Sequence, residues 1–151
     1  MSPLNSLLRR WHRLLGLQRH PKAWYRDRLR EELGELRAAK SPLERLSETS
    51  DVFFTLSRSL HDEFPTRSLP PFSASRHALV YAYLLCKFTS RWKFYRVAAR
   101  LSGSTAWRSV RECVNPAKDS KAADVAARND VDRVRFRHVC QRLRRWWPLL
   151  P

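Results

Sequence analysis

The four residues Ser41-Pro42-Leu43-Glu44 restrict the fold of this chain more than any other short segment. A serine just before a helix accepts a hydrogen bond from the third helical residue, proline suits the first helical position, and glutamate at the third position completes a capping box. Apolar residues at helical spacing on both sides predict one helix over 24–39 and a second over 42–61. Because only a few residues connect them, we expect an antiparallel helix hairpin.

Much of the rest of the chain is also predicted to be helical. A long third helix is predicted over 75–101, and two short helices are predicted within 122–129 and 133–147. The chain has three glycines and nine prolines and no Asn-Gly or Asp-Gly pair, which favours helices joined by proline-marked turns. We therefore predict an all-α fold: an N-terminal basic amphipathic segment (1–20), a helical bundle built on the hairpin and the third helix (21–105), and a basic two-helix C-terminal extension (106–151).

The N-terminal segment combines leucines at helical spacing with arginines and has no acid before residue 27. Three interpretations fit this pattern: a helix that packs on its own domain, a mitochondrial transit peptide, or a helix lying on a membrane surface. No run approaches the roughly 18 apolar residues of a membrane span. We expect a protein of the cytoplasm or nucleus, with mitochondrial import as the alternative.

Charge is distributed unevenly along the chain. The net charge is +16, which favours attraction to nucleic acid, anionic membranes or phosphorylated small molecules. Segment 27–63 nevertheless carries nine acids and six bases, whereas segments 1–26 and 64–151 are strongly basic. The acids are thus concentrated in the predicted hairpin.

Four of these acids form two pairs, Glu32 with Glu35 and Glu48 with Asp51. Residues three apart share one face of a helix. At about 1.5 Å of rise per residue, each pair lies about 8 to 16 Å from the turn, so the two pairs reach similar heights. Four neighbouring carboxylates repel one another unless cations neutralise them, and hard oxygen ligands suit Mg²⁺ or Mn²⁺. The alternative is a solvated acidic face.

The segments EELGE (31–35) and ETSD (48–51) resemble the EExxE…ExxD signature of the MazG-like all-α nucleoside triphosphate pyrophosphatases, and the similarity continues through ETSDVFFTLSR. Members of that family are helical bundles, usually oligomeric. The resemblance implies that Glu32, Glu35, Glu48 and Asp51 hold Mg²⁺ and serve catalysis. It also implies release of a nucleoside monophosphate and pyrophosphate from a nucleoside triphosphate, by an active enzyme or a diverged relative, and a homo-oligomer.

A triphosphate would need cations opposite the metal. Lys87 and Arg91, four apart in the third helix, are predicted to bind it, with Tyr83, Phe88 or Trp92 stacking on the base. The alternative for these residues is an aromatic core and a solvated basic face.

The C-terminal helices support a competing function, a non-catalytic basic module that binds nucleic acid or a protein partner. Ala126, Val131, Phe136 and Val139 are spaced like the core of a helix-turn-helix, and Asp132 is placed to cap the second helix. Arg133, Arg137 and Arg144 would then contact nucleic acid. A two-helix cap on the bundle explains the same apolar spacing.

The histidines and cysteines show no zinc-ligand spacing. The cysteines are odd in number and widely spaced, which does not favour a disulfide framework. We expect buried thiols at Cys86, Cys113 and Cys140.

Overall fold

The computed structural model describes residues 3–71 and 77–147. Within these ranges it contains only helices and connecting segments, with no strand. The elements are α1 (Pro3–Leu15), α2 (Lys22–Ala38), α3 (Pro42–His61), α4 (His77–Leu101), a 3₁₀ turn (Trp107–Ser109), α5 (Asp119–Arg128) and α6 (Arg133–Arg144). The predicted all-α fold is confirmed; the first residues predicted for the third helix, 75 and 76, lie outside the described ranges.

Internal contacts divide the chain into two compact units, Met1–Leu85 and Cys86–Pro151. The division falls within α4. The first unit contains α1, α2 and α3, and the second contains α5 and α6. The predicted three-part organisation of the chain stays a prediction.

The hairpin of α2 and α3 is the centre of the first unit. The two helices pack on each other, and Ala39, Lys40 and Ser41 connect them. The capping box is complete: the Glu44 backbone N–H donates to Ser41 Oγ at 3.1 Å, and the Ser41 backbone N–H donates to Glu44 Oε2 at 3.1 Å. The predicted turn and cap are therefore confirmed.

Replacing Ser41 by Ala should destabilise the protein by about 1 kcal/mol, because one N–H at the start of α3 loses its acceptor. Urea unfolding followed by circular dichroism measures the effect. Ser41→Asp is the matched control, since its carboxylate can still accept that hydrogen bond. Equal losses for the two variants would contradict the capping explanation.

Helix α3 is buried around most of its circumference between Val52 and Ser59, because α2 and α1 both pack against it. Leu43, in the first turn of α3, is 66% exposed, whereas Phe53 is buried.

Helix α1 packs on the first unit through Leu8, Trp11, His12 and Leu15. His12 Nε2 lies 2.9 Å from Ser57 Oγ of α3, which gives the contact a buried polar link. This placement agrees with the interpretation of the N-terminal segment as a helix packing on its own domain. Among the described helices, none is long and apolar enough to cross a membrane.

The second unit has its own apolar core. It is formed by Phe94, Tyr95, Ala98, Ala99, Val110, Ala122, Val125, Ala126, Val131, Phe136, Val139 and Cys140. Helices α5 and α6 pack together, and Asp132 caps α6 by accepting from the Arg135 backbone N–H at 2.6 Å. The predicted core positions and cap of this helix pair are confirmed.

The thiols are not all buried. Cys113 and Cys140 are, and burial raises the pKa of Cys140 to about 12. Cys86 is exposed, so its predicted burial is wrong. It occupies a different side of α4 from its buried neighbours Lys87 and Phe88, as the helical period requires.

Candidate metal site

Glu32 lies in the middle of the buried face of α2. It follows Tyr25 and Leu29 at intervals of four and three residues, so the three side chains share one face of the helix. Glu32 is only 2% exposed, whereas the apolar residues Leu33 and Leu36 of the same helix are half-buried. A carboxylate on a packed apolar face is costly unless it is paired, protonated or bound to a cation.

Helix α3 brings Glu48 and Asp51 to the same place. One carboxylate oxygen from each of Glu32, Glu48 and Asp51 lies within 4.8 Å of the other two, and we call these three residues the acidic triad. Glu48 and Asp51 are half-buried rather than fully solvated. The hairpin thus assembles three of the four predicted ligands. Glu35 is exposed and lies outside the triad.

Arg28 is a member of this site that was not predicted from the sequence. Its Nη2 forms an ion pair with Glu32 Oε1, and its Nη1 donates to Glu31 Oε2 at 2.7 Å. The spacing of four residues between Arg28 and Glu32 is the sequence signal that could have identified the pair. The other oxygen, Glu32 Oε2, is buried and accepts no hydrogen bond from the residues that the structure describes.

Burial raises the pKa of Glu32 to about 7. The Arg28 guanidinium opposes this rise, while the neighbouring carboxylates of Asp51, Glu35 and Glu48 add to it. The three carboxylates of the acidic triad repel one another when all are ionised. A divalent cation bound between them, or a proton on Glu32, would reduce that repulsion.

The triad fits a hard divalent cation. Ligands of Mg²⁺ lie at about 2.1 Å in octahedral geometry, so two oxygens on one ion are about 3 Å apart when adjacent and about 4 Å apart when opposite. The three triad oxygens lie within 4.8 Å of one another, a limit near the separation of opposite ligands. The orphaned Oε2 of Glu32 provides an acceptor that faces no competing donor among the described residues. The residues present therefore suit Mg²⁺ or Mn²⁺.

Comparison of the chain with protein-family models, with curated proteins and with solved structures gives no match. The resemblance to the MazG-like pyrophosphatases thus depends on residues 31–35 and 48–58 of the sequence. The geometry of the acidic triad is an observation independent of that resemblance.

The predicted phosphate-binding pair lies on the part of α4 that belongs to the second unit. Lys87 is 2% exposed and Arg91 is 6% exposed, so the alternative of a solvated basic face is wrong for both. Lys87 Nζ is 5.6 Å and Arg91 Cζ is 5.3 Å from the ring centroid of Phe88. Phe88 and Trp92 are buried as core residues, and Tyr83 is half-buried. A role for these residues at a triphosphate stays a prediction.

Two of the three arginines predicted to contact nucleic acid are engaged within the second unit. Arg144 Nη1 donates to Asp119 Oδ1 at 2.8 Å, and Arg137 Nη2 lies 3.6 Å from Asp119 Oδ2. The hydrogen bond from Arg144 lowers the pKa of Asp119, which keeps that carboxyl group ionised. Arg133 is exposed. Nucleic-acid binding by α6 stays a prediction.

Proposed function

We propose that the acidic triad binds Mg²⁺ or Mn²⁺ and that the protein is a nucleotide pyrophosphohydrolase. The observation that carries the proposal is the buried Glu32 carboxylate, which meets Glu48 and Asp51 across the hairpin with one oxygen unused by any described donor. The motif resemblance supplies the reaction: a nucleoside triphosphate and water give a nucleoside monophosphate and pyrophosphate.

The residues of the site come from two helices, α2 and α3. Arg28 pairs with Glu32 Oε1, which leaves Oε2 without a donor among the described residues, and α3 contributes Glu48 and Asp51 from successive turns. Packing of α2 on α3 brings the three carboxylates close together. A bound Mg²⁺ would neutralise phosphate charge and lower the pKa of a bound water molecule.

Glu35 remains a predicted metal ligand, but its location supports that role less than the locations of the triad residues do. Because it is exposed and outside the triad, Glu35→Gln should reduce metal affinity less than Asp51→Asn does. Isothermal titration with MnCl₂ compares the two variants directly. Equal losses would place Glu35 in the metal-binding set on the same footing as the triad.

Pyrophosphate release from a panel of ribo- and deoxyribonucleoside triphosphates tests the proposal. The wild-type protein should release pyrophosphate in Mg²⁺ or Mn²⁺ and stop in excess EDTA, and Asp51→Asn should release far less. Asp27→Asn is the matched control, because it removes one exposed acid of α2 that pairs with Arg30 and lies outside the acidic triad.

Two outcomes would contradict different parts of the proposal. Wild-type release no greater than that of Asp51→Asn on every triphosphate would overturn the hydrolase assignment. If Mg²⁺ still raised the melting temperature in that case, the metal site would stand without the reaction.

A further inference from the structure

The second unit carries a cluster of guanidinium groups around the indole of Trp107. The Cζ atoms of Arg96, Arg100 and Arg108 lie 5.8, 5.2 and 5.1 Å from its ring centroid. Arg111 joins them, because its Nη1 donates to the Arg108 carbonyl at 3.1 Å and Arg96 Nη2 donates to that same oxygen. We call these five residues the Trp107 arginine cluster.

The four arginines of the cluster lack the acidic partners that other arginines of this unit have. Arg128 binds Glu112 through two hydrogen bonds of 2.9 and 3.0 Å, and Asp119 engages Arg137 and Arg144. Within the described ranges, no carboxylate lies in salt-bridge distance of a cluster arginine. The positive charge of the cluster is therefore uncompensated by this part of the chain.

The crowding of positive charges affects the pKa of Arg96. Partial burial lowers the pKa of Arg96, and the charges of Arg111 and Arg108 lower it further. Arg96 also stacks on Trp92, with its Cζ 4.3 Å from the ring centroid, so the cluster is held in place by aromatic contacts. Arg100, Arg108 and Arg111 are exposed, and Trp107 is half-buried against the core of the unit. An anion at this surface would relieve the repulsion and find donors already arranged.

The shape of the groups favours one class of anion. Guanidinium forks bind phosphate oxygens in pairs, and guanidinium planes and indoles both offer flat faces for unstacked bases. An anionic membrane would instead favour several apolar side chains free to insert, whereas Trp107 is half-buried on the core and Leu101, which is 53% exposed, is the exposed large apolar residue nearest to it in the chain. We infer that the Trp107 arginine cluster binds single-stranded nucleic acid, through phosphate contacts from its exposed arginines and base stacking on Trp107. This site is separate in its residues from the acidic triad and from the α6 arginines.

Fluorescence anisotropy with labelled 20-nucleotide oligo-dT and oligo-U, at salt concentrations from 50 to 300 mM, tests the inference. The double variant Arg100→Gln/Arg108→Gln should weaken binding roughly 10-fold or more at 100 mM salt. It should also reduce the slope of log K against log salt by about 1.4, since each phosphate contact to a single strand contributes about 0.7. The matched control, Arg26→Gln/Arg37→Gln, removes two exposed charges from α2, which has no predicted nucleic-acid contact, and should change both quantities much less.

Trp107→Leu separates stacking from charge. Losing one stacked base should weaken binding roughly 5- to 150-fold, with the salt slope unchanged because the indole carries no charge. A melting temperature within a few degrees of wild type confirms that this variant is folded, and the exposed arginine pair tests the site independently if it is not.

Three results would overturn the inference. Wild-type binding that is retained in the cluster double variant would exclude the site. Equal losses for the cluster and control pairs would indicate diffuse attraction by net charge. The double variant Arg100→Gln/Arg108→Gln is also compared with wild type for binding to vesicles of 30% phosphatidylserine in phosphatidylcholine. If this variant lost vesicle binding but bound the oligonucleotides as wild type does, the cluster would be assigned to a membrane surface.

Discussion

Asp51→Asn should weaken Mg²⁺ binding roughly 10- to 1,000-fold, because it replaces one of three carboxylate ligands by a neutral amide. A ligand present at 100 times its Kd stabilises the folded state by about 2.7 kcal/mol. In the variant at the same concentration, the remaining stabilisation should fall to about half that value at most. Thermal unfolding with and without 10 mM MgCl₂ measures the difference.

Mg²⁺ should stabilise wild type more than Asp51→Asn, whereas without metal the variant should be the more stable of the two. Asp51→Asn should melt higher than wild type in EDTA, because it removes one negative charge beside Glu48 and the buried Glu32. Asp27→Asn removes the same charge from an exposed position of α2 and should leave both the metal-free melting point and the Mg²⁺ effect nearly unchanged. A wild-type melting temperature that is indifferent to millimolar Mg²⁺ and Mn²⁺ would contradict the metal site.

Glu32 should make the metal-free protein more stable as the pH falls from 8 to 5, by about 2 kcal/mol. Its pKa is about 7 in the folded state, above the ordinary value of 4.5, so the folded protein binds the proton more tightly than the unfolded chain does. This contribution is fully present below the unfolded pKa and is lost as the pH rises through 7. Glu32→Gln should remove it, since a neutral amide does not titrate.

The ionisation of His12 changes the stability of the protein in the opposite direction between pH 8 and pH 5. Burial, with the nearby charges of His61 and Arg58, lowers the pKa of His12 to about 3. Its contribution to stability is therefore present above the unfolded pKa of 6.5 and declines as the pH falls below it. Burial also lowers the pKa of His20 and of His61, in the same sense. Wild type should consequently show a shallow pH profile, whereas Glu32→Gln should lose stability clearly on acidification.

Urea unfolding at pH 5, 6, 7 and 8 in EDTA measures the two profiles. The difference in unfolding free energy between wild type and Glu32→Gln is the quantity to compare, because the histidine contributions cancel in it. A difference that does not change with pH would show that Glu32 titrates normally. A proton on Glu32 would compete with Mg²⁺, so metal affinity should also rise between pH 6 and pH 8.

The sequence by itself determined the features of this protein that depend on neighbours within a turn or two. The capping box at Ser41 and Glu44, the α2 and α3 hairpin, the cap at Asp132 and the core positions of α5 and α6 all follow from local spacing and side-chain chemistry. The similar heights of Glu32, Glu48 and Asp51 followed as well, because a tight turn fixes the heights of residues on the two helices it joins. The sequence also placed Glu35 in this set and left a solvated acidic face as the alternative.

Only the tertiary structure decided which polar groups are buried and which partner each of them has. Glu32 lies on the packed face rather than beside it, and Arg28 holds one of its oxygens while leaving the other unused by the described residues. Lys87 and Arg91 are buried, although helical spacing is equally compatible with a solvated face. The physical reason is that burial depends on which surface another helix covers, and that surface is chosen by the packing free energy of a whole unit rather than by the residues adjacent in the chain.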